Sequence, residues 1–357
     1  MESVIDLPAS GVVGEDIKNY KNAIVRVDSI RDAFPRIVNL LGGNSDLLLN
    51  KENISPSLLQ QPNAVISYRA LISLLERAAT ELDCPEFGLK LAKLSGDGIT
   101  VLGPLEIAMR NSKTIGDAYD YCAKHLQVYS RAVHICMERD DGAGRARMLF
   151  DILLNDAPRQ RQTVEHALGL GFLGFRALSS HKVQAQEIWF THAPLAPLNV
   201  YRDFFGAPVK FGMPSNALIF AKEDLLRPIV NRNQQVYEMA LSYIDTQFPP
   251  LSIPLPTQVR IILGRLLATG RCTQINVAEM LAMHPRTFQR RLREEGTNFE
   301  QLVDEVRREI ALRSLVQTKE PLIRIVEKLG YSETSVLTRS CYRWFSSSPR
   351  KMRRDAL

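Results

Sequence analysis

The stretch HPRTFQRRLREEG, residues 284–296, sets Arg286, Gln289, Arg290, Arg291 and Arg293 around only two large apolar residues, Phe288 and Leu292. Phe288 and Leu292 stand four apart, one helical turn, so they share a face. Arg286, Gln289, Arg290 and Arg293 follow the i, i+3, i+4, i+7 spacing of the opposite face. Pro285 suits the first turn of a helix, where its missing N–H costs nothing. A guanidinium bonds guanine O6 and N7 together, a carboxamide bonds adenine, and either bonds phosphate. Two apolar anchors seating a helix whose outer face carries such groups describe a helix made for the DNA major groove.

Upstream, Val277, Met280 and Leu281 mark one apolar face of a shorter helix, and a turn through Met283–His284–Pro285 joins the two. This is the helix-turn-helix pattern. It occurs twice. VAEMLAMHPRTFQRRL (277–292) can be laid on IVEKLGYSETSVLTRSC (325–341) with one extra residue in the second turn. Val277, Leu281, Phe288, Arg290 and Leu292 then fall on Ile325, Leu329, Leu337, Arg339 and Cys341. In the second copy Pro321 can open a helix and Gly330 can take the left-handed position at its end. Leu337, Cys341 and Trp344 are then the inward candidates, with Thr334, Ser335, Thr338 and Arg339 towards the other side. Between the copies, TNFEQLVDEVRREIALRSLV reads as one long helix, with Thr297 and Glu300 as its capping box and Phe299, Leu302, Val303, Val306 and Ile310 at helical spacing. About 18 residues at 1.5 Å rise span about 27 Å, enough to hold two recognition helices roughly one DNA turn apart.

Charge supports this placement. Residues 251–357 hold 19 Lys and Arg against 11 Asp and Glu, a net of +8, whereas the rest of the chain is at −2. A polyanion-binding module joined to a part that binds no polyanion has this asymmetry. The boundary is read at FPPLSIPLP, residues 248–256, because proline fixes φ and cannot continue a helix. The chain is thus divided into 1–247, a linker at 248–256, and an all-α domain at 257–357.

The first part is expected to be α+β. SYRALISLLERAATELD (67–83), TIGDAYDYCAKHLQVYSRAV (114–133) and RQTVEHALGLGFLGFRALSS (161–180) read as helices, the last despite three glycines. HICMERDDGAGRARMLFDILL (134–154) reads as a hairpin around DDGAG, and EIWFTH (187–192) and NALIF (216–220) read as strands. Aromatics gathered in WFTHAPL (189–195) and YRDFFGAPVKF (201–211) suit a core, or equally the walls of a ligand pocket.

Other chemistries find little footing. The opening MESVIDLPASGVVGEDIKNYK has no basic segment before an apolar run, which predicts no signal peptide, and no run approaches 18 apolar residues. Cys84, Cys122, Cys136, Cys272 and Cys341 are scattered, with no C-x-x-C pair, against a disulfide framework or zinc site and in keeping with a reducing cytoplasm. The six histidines show no metal-ligand spacing, and neither G-x-S-x-G nor a Walker loop occurs. The G-x-G-x-x-G spacing in GLGFLGF (169–175) lies inside an apolar helix without the strand a dinucleotide loop needs. No enzyme activity, metal or cofactor is expected.

Residues 256–354 resemble the AraC/XylS family of bacterial transcription regulators, on the stretches VAEMLAMHPRTFQRRLREEGTNFEQLVDEVRREIAL and IVEKLGYSETSVLTRSCYRWFSSSPRKMRR. FGLKLA (87–92), KTIGDAYDY (113–121), YRDFFGAPVKFG (201–212) and NALIFAKEDLLRP (216–228) are similar to the effector domain of ornithine-utilisation-type regulators. The resemblance implies a cytoplasmic, nucleoid-associated activator switched by a small-molecule effector, forming a homodimer through the first domain, meeting RNA polymerase and touching no membrane. It implies base reading by Arg286, Gln289 and Arg290 in the first unit and by Thr334, Ser335 and Arg339 in the second. Phosphate contacts are expected from Arg293, Thr338 and Arg343 and from the tail residues Arg350, Lys351, Arg353 and Arg354, which face little acid nearby. Arg291, Arg307, Arg308 and Arg313 are read first as solvated or paired with Glu294, Glu305 and Glu309, with phosphate contact as the alternative. His284 is read as a DNA contact or a turn cap, and Cys341 as a small buried hydrophobe.

The second unit departs from the family pattern. Thr334 stands where proline is usual, Leu337 and Cys341 where phenylalanine is, Ser346 where glycine is and Met352 where an aromatic is. Lost core volume predicts a looser second unit that contributes less specificity. A ligand-independent architectural DNA binder is the alternative function.

Overall fold

The hairpin expected around DDGAG begins the main sheet. The computed structural model describes residues 23–139, 142–154, 159–248, 254–269, 272–281, 283–318 and 320–356. Strands β3 (Val133–Glu138) and β4 (Arg145–Ile152) pair antiparallel, Val133 opposite Ile152. Asp140 and Asp141 of the turn, the opening segment and most of FPPLSIPLP lie outside the described residues. β5 (Glu187–Trp189), β6 (Val209–Lys210) and β7 (Asn216–Ala221) complete a five-stranded sheet in the order β3-β4-β7-β5-β6, antiparallel except between β5 and β6. β1 (Ile24–Arg26) and β2 (Val65–Ser67) form a separate antiparallel pair.

Helices α1 (Ala33–Leu40), α2 (Ser45–Lys51), α3 (Tyr68–Glu81), α4 (Phe87–Leu94), α5 (Pro104–Asn111), α6 (Ile115–His125), α7 (Arg161–Leu178), α8 (Leu198–Phe205) and α9 (Gln234–Gln247) complete this part, with α6, α7 and α8 packing on strands of the sheet. This part is mixed α and β, as expected. α7 is central, packing against α4, α3 and β7. Its glycines are there for close approach: a Cβ on Gly171 would lie 2.8 Å from the Met148 methyl of β4. The helix expected over 114–133 stops at His125. Beyond a short 3-10 turn, the Arg26 N–H donates to Tyr129 O, and Val25 bridges Ser130, drawing the chain out of the helix. The aromatics of 189–211 are core: Phe190, Tyr201 and Phe205 are buried and their rings pack together.

The remainder is helical: α10 (Leu255–Leu266), α11 (Gln274–Met280), α12 (Pro285–Glu294), α13 (Phe299–Gln317), α14 (Leu322–Lys328), α15 (Thr334–Phe345) and α16 (Pro349–Ala356). α10 begins inside the proline-rich stretch, with Pro254 at its N-cap. Two small cores form. Val259, Leu263, Val277, Phe288, Leu292 and Leu302 close the first; Ala311, Leu315, Ile325, Leu329, Leu337 and Cys341 close the second. Ile310, on α13, packs against both. Among the described residues no helix is long and apolar enough to cross a membrane.

Candidate nucleic-acid interface

α12 begins at Pro285, as its ring geometry favours, and His284 is its cap: Nδ1 accepts from the Arg286 N–H at 3.3 Å. Phe288 and Leu292 are fully buried, each contributing roughly 1.5–3 kcal/mol by leaving water. Arg286, Gln289, Arg290 and Arg293 are exposed on the far side. Gln289 Nε2 donates to Gln274 Oε1 at 3.1 Å, and Arg290 donates to Glu294 Oε1 at 3.1 Å. Among the described residues Arg286 and Arg293 make no ion pair. The apolar and polar stripes read from the sequence are therefore where that reading placed them.

In the second unit Leu337 and Cys341 are buried, and burial pushes the Cys341 thiol up to about 11, as suits a small hydrophobe. Thr334, Ser335 and Arg339 are exposed, the first two on the opening turn of α15. Ser335 Oγ donates to Glu333. Thr338 is half-buried, and its hydroxyl donates back to Thr334 O at 3.1 Å. Ser346 ends α15 in the left-handed conformation, φ +54°, which explains why glycine is usual there.

α13 seats both units. Its capping box is one residue later than expected: Asn298 accepts from the Gln301 N–H at 2.9 Å while Gln301 Oε1 accepts from the Asn298 N–H at 3.1 Å. Asp304 clamps α15, accepting from Trp344 Nε1 at 2.8 Å and pairing with Arg343. Arg343 is thus held by protein in the absence of DNA. Arg307 is neither a solvated cation nor paired with acid: its Nε donates to Leu329 O at 2.9 Å and its guanidinium covers the Tyr331 ring at 4.6 Å. Arg308 lies over Phe345. No sequence signal marks these arginines, because their partners lie in the turn after α14 and at the end of α15. The tail forms α16, where Arg350, Lys351 and Arg354 are exposed and Arg353 is half-buried.

Two polar helix faces on one helical frame, beside a mixed α/β part, match known proteins over most of the chain. Residues 42–229 match the family described as the arabinose-binding domain of AraC transcription regulator, N-terminal, and residues 277–355 match a helix-turn-helix domain family. The chain belongs to the AraC family of transcription regulators. This AraC-family chain is 33% identical over 313 residues to the HTH-type transcriptional regulator VirS of Mycobacterium tuberculosis, across 88% of this chain and 92% of that one. It is 26% identical over 337 residues to the ornithine utilization regulator of Pseudomonas aeruginosa, across 93% and 96%. The solved structure of transcriptional regulator CdpR from Pseudomonas aeruginosa aligns over 90% of this chain and 98% of its own, at 19% identity and a TM-score of 0.43. Family membership makes this AraC-type chain a DNA-binding regulator with an effector-binding N-terminal domain, not an enzyme.

Proposed function

We propose that the protein is a cytoplasmic, nucleoid-associated transcriptional activator that reads two adjacent major-groove segments and is switched by a small-molecule effector. The observation that carries the DNA reading is the pair of exposed recognition faces on helices whose inner faces close two cores sharing α13. Arg286, Gln289 and Arg290 read bases in the first segment, and Thr334, Ser335 and Arg339 in the second. Arg293, Thr338, Arg343, Arg350, Lys351, Arg353 and Arg354 contact phosphates, with Thr338 and Arg343 first leaving their protein partners. Residues 1–247 form the effector-sensing and dimerising unit, 248–256 the linker and 257–357 the DNA-binding unit. A second copy of the chain and RNA polymerase are the protein partners. The dimer reading draws support from α9, whose Val236, Met239 and Tyr243 share an exposed apolar face. The substituted positions Thr334 and Ser346 support a second unit of lower specificity, so Arg290→Ala is to cost more sequence discrimination than Arg339→Ala.

Selection of bound sequences from a random duplex pool by full-length protein at physiological salt tests this reading. Recovery of a site with two segments about one turn apart supports it, and a repeat of that site supports the dimer. Binding without any motif, lost as salt rises, leaves only phosphate contacts and favours an architectural protein.

A further inference from the structure

Between the sheet-bearing part and the helical part lies a cleft of about 900 Å³, within the size range of small-molecule sites. One wall comes from the ends of β4 and β7, the start of α7 and the segment after β5; the other comes from α10 and α13. Apolar surface is supplied by Ile152, Leu154, Pro194, Met213, Ile261 and Ile310. Among the described residues, three buried polar atoms of side chains that line it have no hydrogen-bond partner: Gln160 Oε1, Arg161 Nε and His192 Nε2. His192 is nine-tenths buried. Its Nδ1 lies 2.8 Å from Ala193 O, so Nδ1 carries the proton, and Nε2 is a buried acceptor 3.8 Å from Glu165 Oε1.

Arg161 and Arg313 are the cations of this lining least engaged by acid, although Asp151 on the sensor side and Glu295 on the other line it too. Glu305 and Glu309 engage Arg260, Glu294 engages Arg290, and Glu295 is exposed to solvent. Arg161 reaches Glu76 only through one terminal nitrogen, at 3.3 Å. Arg313, on α13, makes no ion pair among the described residues. Its side chain opens to the cleft, yet the surrounding walls desolvate it and hold its pKa below the ordinary guanidinium value, with Glu309 compensating in part. Arg161 and Arg313 both act on His192, and with burial as the larger cause they keep its imidazole neutral, at about 4.

We propose that this cleft is the effector site, and that it takes a small carboxylate with an apolar body between Arg161 of the sensor and Arg313 of the helix that seats both recognition helices. The inference rests on the regulator reading and adds the place and chemical class of the ligand. A carboxylate bridging the two arginines ties α13 to α7, so a ligand with different affinities for two orientations of the parts shifts their population.

The test is calorimetric titration of the full-length protein with octanoate and benzoate, and with octanol and benzamide as uncharged counterparts. The expected result is binding of a carboxylate at least ten-fold tighter than its uncharged counterpart, weakened at least ten-fold by Arg313→Gln and by Arg161→Gln. The bound carboxylate is further expected to change affinity for the selected DNA site about five-fold or more. Equal binding of the uncharged compounds overturns the inference without any variant being needed. Carboxylates that fail to bind, or that bind unchanged in folded variants, overturn it too. The selection of DNA sites is made without carboxylate. A DNA site recovered while the titrations show no carboxylate binding removes this inference alone, and carboxylate binding in the titrations with no DNA site recovered removes the DNA reading alone.

Discussion

Arg290 donates to Glu294 while about two-thirds of its side chain remains in solvent. An ion pair so exposed is worth about 0–1 kcal/mol, so exchanging it for a guanine costs little. Arg290→Ala is therefore expected to lower affinity for the selected site by roughly 1–3 kcal/mol and to relax preference at one base, checked by titrating matched and mismatched duplexes. A different residue-scale consequence lies beneath the cleft. Burial raises the Glu165 carboxyl to about 8, where it accepts from the Tyr201 hydroxyl, and lowers His166 and His192 to about 4. Between about pH 4 and 6.5 these histidines are protonated only in the unfolded chain, so they make stability rise with pH. Between about pH 4.5 and 8 Glu165 holds its proton only in the folded chain, so it makes stability fall. Two histidines outweigh one carboxyl below about pH 6.5, and above it the carboxyl acts alone. The thermal midpoint should peak near pH 6.5, and Glu165→Gln should remove the fall between there and pH 8. A fall that persists in that variant would assign it to other groups.

At the scale of elements, the helix-turn-helix pairs were legible because each recognition helix has one buried apolar stripe and one polar stripe, arginine-rich in α12 and mostly Ser and Thr in α15. The capping residue of α13 was misread by one position because Thr297 and Asn298 are both good caps and stand side by side. The early end of α6 was invisible, since it depends on pairing with β1 a hundred residues away. Two substitutions probe what the helices demand. Ser346 holds φ +54° at the end of α15, so Ser346→Gly should stabilise the protein by up to about 1 kcal/mol, read from denaturant unfolding. Gly330, at φ +66°, lies so close to the end of α10, in the first small core, that a Cβ would stand 2.2 Å from Leu267 O. Gly330→Ala should cost about 1–3 kcal/mol and disturb DNA binding by both units, since the contact joins them.

For the whole molecule, the charge asymmetry found in the sequence has a direct reading in salt. Each phosphate neutralised adds about −0.9 to the slope of log affinity against log salt. Arg350→Ala and Lys351→Ala should each flatten that slope by about 1 while leaving sequence preference intact. Of the cleft, only the segment WFTHAPL, whose Thr191, His192, Ala193 and Pro194 line it, was marked in the sequence as a pocket wall or core. Its walls come from Asp151, Arg161, His192 and Asn216 on one side and Arg260 and Arg313 on the other, and only the fold assembles them. α13 carries a further consequence. In the proposed reading, α13, which belongs to both small cores, gives the two recognition helices one stride and one phase. One base pair inserted between their two segments turns the second segment by about 34–36° around the duplex. α13 cannot follow without emptying Leu302 and Val306 from one core or Ala311 and Leu315 from the other. Affinity for such a stretched site should fall to that of one recognition helix, so the length of gap between the segments is as much a part of the address as the letters within them.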